Sequence, residues 1–132
     1  MPNALIVSLD DTRVLSLEEM RSVLSRLYSA EALAEGDKPF STLNGYSVVA
    51  VPEDGRPRFQ AMGMDHSIAL EGTQEAIDLV LAEVRQVLPD DHPRVIGVQS
   101  EHDLYVDLPV GVTAGQVTTG WKEIDAGLDD FS

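Results

Sequence analysis

Residues 95–108 read Val-Ile-Gly-Val-Gln-Ser-Glu-His-Asp-Leu-Tyr-Val-Asp-Leu, and this stretch decides the fold class. Residues 95–99 and 104–108 each predict a β-strand, because β-branched and other apolar residues recur along both segments. Only four residues separate them, which is too few for the helical crossover that joins parallel strands. The two strands are therefore antiparallel neighbours, and the sequence predicts an α+β protein.

The second of these strands also indicates a sheet with one solvated side. Leu104, Val106 and Leu108 point one way along an extended chain, whereas Tyr105 and Asp107 point the other way. Such alternation is typical of an antiparallel sheet that packs one face on a core and leaves the other in water.

Two amphipathic helices are predicted upstream of this hairpin. Ser16 and Glu19 have the spacing of a capping box, and apolar residues follow at helical intervals: Leu17, Met20, Val23, Leu24, Leu27 and Tyr28. Thr73 is placed to cap a second helix and Pro89 to end it, and its apolar positions are Ala76, Ile77, Val80, Leu81, Val84 and Leu88.

A third helix is predicted near the end of the sequence. Thr113 and Gln116 form another capping box, and the apolar positions that follow it are Val117, Trp121, Ile124 and Leu128. Each glycine inside a helix costs about 1 kcal/mol relative to alanine. The glycines of this segment are Gly115, Gly120 and Gly127. We therefore expect packing of Trp121 to hold the helix in place and the indole to be largely buried.

The remaining strands complete the predicted order. Residues 4–9 form a first strand, and residues 46–51 and 58–64 form a hairpin around the turn at 52–57, where Asp54 and Gly55 can adopt positive φ. Residues 67–70 continue this strand or form a fourth one. The first six elements match the ferredoxin-like βαββαβ arrangement, with an extra strand and a C-terminal helix appended.

The predicted fold is thus a single α+β domain spanning residues 1–132, with a mainly antiparallel sheet of about five strands and three helices. Its length and its 43% content of hydrophobic residues suit one domain with one core.

Charge is the most unusual property of the composition. The chain has 23 Asp and Glu against 9 Lys and Arg, a net charge of −14, and residues 60–132 alone contribute −11. Such a surface repels nucleic acid and anionic membranes and attracts basic proteins over roughly 8 to 10 Å. Excess charge also keeps a protein soluble, whatever its partners. Residues 1–9 lack the pattern of a secretory signal, and no long apolar run is present, so we expect a cytoplasmic protein.

No motif predicts catalysis, a metal or a cofactor. The chain has no cysteine, no Gly-x-Ser-x-Gly elbow, no phosphate-binding glycine loop and no His-Glu-x-x-His helix. His66, His92 and His102 all have acidic neighbours, but His92 and His102 flank the strand at 95–99 and are expected at opposite ends of the sheet. An enzyme with an unrecognised site remains an alternative.

Two functional hypotheses follow. The first is a non-enzymatic inhibitor, most specifically a bacterial immunity or antitoxin-type protein, which neutralises a basic partner such as a nuclease or another nucleic-acid-acting toxin. Its candidate partner-binding residues are the carboxylates of the second half and one tyrosine that is a candidate aromatic anchor: Asp90, Asp91, Glu101, Asp103, Tyr105, Asp107, Glu123 and Asp125.

The second hypothesis is a small ligand-binding, regulatory or structural subunit, monomeric or homodimeric, which uses its sheet face for a metabolite or for dimerisation. Val49, Met62 and Met64 exposed on an open sheet face favour this hypothesis. A sheet face fully covered by helices, with acid concentrated on the other side, favours the inhibitor.

Overall fold

A computed structural model describes residues 2–8, 15–35, 45–53, 55–63, 67–92 and 94–123. These residues form one sheet of eight strands and three α-helices. The strands are β1 Asn3–Ser8, β2 Leu33–Glu35, β3 Tyr46–Ala50, β4 Phe59–Gly63, β5 Ser67–Glu71, β6 Val95–Gln99, β7 Leu104–Asp107 and β8 Lys122–Glu123. The helices are α1 Leu17–Ser25, α2 Gln74–Val87 and α3 Ala114–Gly120.

The strands lie in the order β2-β3-β4-β5-β1-β6-β7-β8, and all neighbouring pairs are antiparallel. The predicted α+β class, antiparallel sheet and three helices are confirmed. The prediction of about five strands is wrong, because the described residues form eight. β8, with two residues, is too short to show an alternating pattern in the sequence. β2 lies where the first helix was expected to continue: α1 ends at Ser25, so the prediction that it includes Leu27 and Tyr28 is wrong. β5 is a strand of its own that pairs with both β4 and β1.

β1 lies in the interior of the sheet, between β5 and β6. Both neighbours are antiparallel to β1 and thus parallel to each other, and α2 connects them across the sheet. The predicted βαββαβ core used residues 46–51 and 58–64 as its inner hairpin. In the structure, β5 occupies the place next to β1, and the β3–β4 hairpin lies farther out. The ferredoxin-like assignment itself stays a prediction.

Capping predicted from the sequence is present at all three helices. In the capping box of α1, Ser16 Oγ accepts from the Glu19 amide at 3.2 Å and Glu19 Oε1 accepts from the Ser16 amide at 3.0 Å. Thr73 caps α2, and Thr113 with Gln116 forms the box of α3. In the β3–β4 turn Gly55 has a φ of +85°, as expected, whereas Asp54 lies outside the described residues.

The third helix is shorter than predicted. It ends at Gly120, and Trp121 adopts an extended conformation, with φ −61° and ψ 129°, before the chain enters β8. Continuation of the helix through Trp121 is therefore wrong, and the predicted positions Ile124 and Leu128 lie outside the described residues. Trp121 is partly buried and packs against the apolar core. Pairing of Lys122 with Tyr105 in the sheet replaces the last helical turns.

All three helices pack on one face of the sheet, in the order α1, α2, α3. Alternate strand residues meet them in one apolar cluster, which includes Ile6, Val48, Phe59, Ile68, Leu70 and Val106. Gly97 lets α2 approach β6 closely, because a Cβ there would lie 3.1 Å from Leu81 Cδ1. None of the described helices is long and apolar enough to cross a lipid bilayer.

Candidate protein-binding face

The strand residues that point away from the helices form what we call the open face. Its central row crosses seven strands through directly paired positions, which are Ser47, Met62, Ala69, Leu5, Val98, Tyr105 and Lys122. Five successive members, from Met62 to Tyr105, are apolar or aromatic. No described helix packs over this row.

Partial burial distinguishes the apolar members of this row from the helix-facing residues beside them, whereas Ser47, at the β3 end of the row, is 2% exposed. Leu5, Met62, Ala69 and Val98 are half-buried, whereas Ile6, the neighbour of Leu5 that faces the helices, has an exposed fraction of 0%. Val49 of β3 is half-buried as well, and Met64 lies outside the described residues. The partly buried apolar side chains of this row are contiguous, because each belongs to a residue that is paired directly with the next.

A depression of about 280 Å³ lies within the open face, over β1, β4 and β5. Its apolar part is formed by Leu5, Ala69 and Met62, which lie side by side on paired strands. The polar end of the depression is formed by the next row along the strands, which contains Gln60, Glu71 and Asn3. Glu71 pairs directly with both Gln60 and Asn3.

Carboxylates line the end of the sheet next to this polar row. We call them the acidic margin: Glu71, Glu101, Asp103 and Glu123. Glu71 points to the open face, whereas Glu123 pairs with Leu104 and therefore points to the helix side. All four are exposed, and none forms an ion pair within the described part of the chain. Asn3 Nδ2 donates to Glu101 Oε1 at 2.9 Å, which ties the β6–β7 turn to the start of β1. Asp103 has a φ of +52°, so this turn needs a residue that tolerates the left-handed region.

The structure divides the predicted partner-binding residues between the two ends of β6. Glu101, Asp103 and Glu123 lie at the end where β6 finishes and belong to the acidic margin. Asp90, Asp91 and Asp107 lie at the end where β6 begins. A five-residue strand separates these ends by roughly 13 Å. The predicted residues thus form two groups, and Asp125 lies outside the described residues.

Asp107 differs from the margin carboxylates because it has a cation beside it. Arg94 Nε and Nη2 lie 2.8 and 2.7 Å from Asp107 Oδ1. The two side chains are part of a cavity of about 530 Å³, to which Asp90 and the buried Arg85 also contribute. Arg85 donates to the carbonyls of Leu108, Leu88 and Pro89, so it closes the C-terminal end of α2. This end of the sheet is therefore mixed in charge.

Of the predicted partner-binding residues, Tyr105 lies in the central row of the open face itself. It is half-buried in the central row, between Val98 of β6 and Lys122 of β8. Tyrosine is enriched among residues that dominate binding energies, because it combines a large apolar surface with a polar end.

Several residues of this face were not singled out in the sequence: Asn3, Leu5, Gln60, Ala69, Glu71 and Val98. Met62 and Val49 were named in the sequence as residues whose exposure distinguishes the two functional hypotheses. Apolar residues on both sides of β1 and β6 indicate strands within a sheet, but the sequence pattern does not say which side the helices cover.

Titratable groups in the described residues do not assemble into a metal site. No group of three or more His, Asp or Glu with metal-binding geometry is found among them. His92 precedes β6 and His102 follows it, as the sequence predicted, and His66 lies outside the described residues.

One tyrosine on the helix side has a perturbed environment. Tyr28 is 8% exposed, its ring stacks on Phe59 with centroids 6.2 Å apart, and the Arg56 guanidinium lies 5.1 Å from its centroid. Burial raises the pKa of Tyr28, and the positive charge of Arg56 acts in the opposite direction. Both residues line a cavity of about 410 Å³ between α1, α2 and the β3–β4 turn.

Comparison of the chain with models of protein families, with curated protein sequences and with solved structures finds no match.

Proposed function

We propose that this chain is a non-enzymatic binding protein that docks a basic protein partner on its open face. The observation that carries the proposal is the combination of an apolar row, Met62 to Tyr105, with three exposed carboxylates at its edge, Glu71, Glu101 and Asp103, that have no described ion-pair partner. Protein interfaces commonly have an apolar centre and a polar rim. Here the rim is acidic, which suits a partner with lysine and arginine around its own apolar contact.

Charge favours a basic partner over a second copy of the chain. Two copies docked by their open faces would bring two acidic margins and two net charges of −14 together, and like charges at an interface oppose association. A cationic partner instead gains from steering during encounter, since association rates rise with complementary charge.

In its most specific form, the proposal is the bacterial immunity or antitoxin-type protein named from the sequence. Nucleases and other nucleic-acid-acting toxins require cationic clefts, so such a toxin offers the surface that the acidic margin fits. A sheet face that no described helix covers and that carries Met62 and Val49 is the feature that favours the second hypothesis. The proposal therefore takes its docking face from the second hypothesis and the chemistry of its partner from the first.

The proposal is tested by capturing the partner on the purified protein, identifying it and repeating the binding with both components purified. We expect a partner with a basic isoelectric point and an association rate that falls at least tenfold between low and high salt. Val98→Arg should weaken binding at least tenfold, because it places a cation in the apolar row. Ser22→Arg makes the same charge change on the exposed side of α1 and should leave the affinity within twofold.

Three outcomes would overturn the proposal. The first is equal loss of affinity in the two arginine variants, and the second is a purified partner without a basic surface. The third is a homodimer of the wild-type chain, seen by light scattering, that Val98→Arg dissociates, because a second copy would then be the occupant of the face. The more specific proposal, an immunity or antitoxin-type protein, is tested by measuring whether this chain inhibits the activity of the purified partner.

A further inference from the structure

We infer that the depression over β1, β4 and β5 receives a single arginine side chain of the basic partner. The inference rests on the proposed function, and it names the anchor by which the partner is held. It is carried by the shape of the depression and by the kind of polar atom that faces it.

The apolar part of the depression suits the methylene stem of a long side chain. Ala69 lies between Leu5 and Met62 in the central row, on strands whose paired side chains are about 5 Å apart. The short alanine side chain leaves a slot between the two longer ones. The aliphatic stem of an arginine can lie along such apolar surface while its charged end remains in a polar environment.

The polar end offers acceptors. Gln60 Nε2 donates to Ser47 Oγ at 3.2 Å, and Asn3 Nδ2 donates to Glu101 Oε1 at 2.9 Å. Both amide nitrogens therefore already have partners in the protein. The amide oxygens of Gln60 and Asn3 and the exposed carboxylate of Glu71 are acceptors at the same end.

These acceptors match a guanidinium better than an ammonium. Arginine has five N–H donors in one plane and no acceptor, and it is more weakly hydrated than lysine, so it makes several hydrogen bonds at once at a half-buried site. A depression of about 280 Å³ has room for one long side chain, and its acceptors lie together at one end, where the guanidinium would be.

The test is an NMR titration of the whole chain with N-acetyl-arginine amide, compared with N-acetyl-citrulline amide, which has the same shape without the charge. We expect the amide signals of Leu5, Ala69 and Glu71 to shift with arginine and the affinity to be at least fivefold lower with citrulline. Glu71→Gln should weaken arginine binding at least fivefold. Glu75→Gln removes an exposed carboxylate at the start of α2 and should leave binding unchanged. Ala69→Leu should fill the slot and abolish binding.

Equal shifts with citrulline, or equal effects of Glu71→Gln and Glu75→Gln, would overturn the inference. The purified partner separates this failure from that of the proposed function. If Val98→Arg prevents partner binding but Glu71→Gln and Ala69→Leu do not, the docking face stands and the arginine anchor is wrong. If the arginine probe binds as described but the partner tolerates Val98→Arg, the proposed docking face is wrong.

Discussion

Trp121 Nε1 donates a hydrogen bond of 3.0 Å to Oδ1 of Asp78, a carboxylate whose residue is only 3% exposed. Gln74 Nε2 donates to the same oxygen at 3.0 Å, and Thr118 Oγ1 donates to Oδ2 at 2.9 Å. Three donors thus satisfy a buried charge in the middle of the helix layer. Two of them belong to α3 or its C-terminal cap, so this network fastens α3 to α2.

Removing a donor from this network should destabilise the fold. Trp121→Phe keeps most of the ring and deletes the hydrogen bond to Asp78, and we expect the free energy of unfolding to fall by about 1–3 kcal/mol. Thr119→Ala serves as the control, because among the described residues its hydroxyl bonds only to the Gly115 carbonyl within α3, and it should change stability by less than about 0.5 kcal/mol. Urea denaturation measures the free energy of unfolding of both variants. An equal decrease in Trp121→Phe and Thr119→Ala would show that the Asp78 network does not hold α3 in place.

The two faces of β1 should respond differently to truncation. Ile6 is fully buried beneath the helices, so Ile6→Ala should cost about 2–5 kcal/mol of unfolding free energy. Leu5 is half-buried on the open face, and Leu5→Ala should cost less than half as much. The comparison is made by urea denaturation of the isolated chain. A Leu5→Ala cost that matches that of Ile6→Ala would mean that the open face is covered in the free protein.

Gly63 lies against the ring of Tyr46, where there is no room for the methyl group of an alanine. It pairs with Tyr46, and a Cβ at Gly63 would overlap the Tyr46 ring. Gly63→Ala should therefore destabilise the protein by about 1–3 kcal/mol, measured as a lower thermal midpoint.

Gly115 provides the matched control for this substitution. A Cβ there would come no closer than 3.9 Å to Thr113 Oγ1, and helix formation favours alanine. Gly115→Ala should raise stability by about 0.4–1 kcal/mol. Equal changes in the two variants would exclude the overlap with Tyr46 as the cause.

Ionisation of Tyr28 should couple to folding at alkaline pH. Burial raises the pKa of Tyr28 in the folded state above the ordinary value of about 10 in the unfolded chain. The folded state therefore holds the phenolic proton more tightly. This contribution to stability is complete below pH ~10 and is lost as pH rises through the folded pKa. Tyrosinate absorbance follows the titration, with Tyr28→Phe identifying the signal.

Arg56 gives this titration a second readout. Its positive charge stabilises the tyrosinate, so Arg56→Gln should raise the pKa of Tyr28 further. A pKa that falls in this variant would contradict the arrangement of the two side chains.

Local signals in the sequence were sufficient for the helix starts and for much of the sheet. Ser16, Thr73 and Thr113 cap their helices because the hydroxyl needs only amides within the next three residues. The β3–β4 and β6–β7 hairpins follow from strand patterns close to one another along the chain. Charge composition likewise gave the chemistry of the proposed partner.

The sequence by itself determined the fold class, the caps and the two hairpins, because each depends on residues a few positions apart. Tertiary structure alone decided that β5 lies beside β1 and that Trp121, just after α3, donates a hydrogen bond to Asp78. It also decided that Leu5, Ala69 and Val98 share an open face. Those features join residues tens of positions apart, and their energies come from pairing and burial that no local pattern specifies.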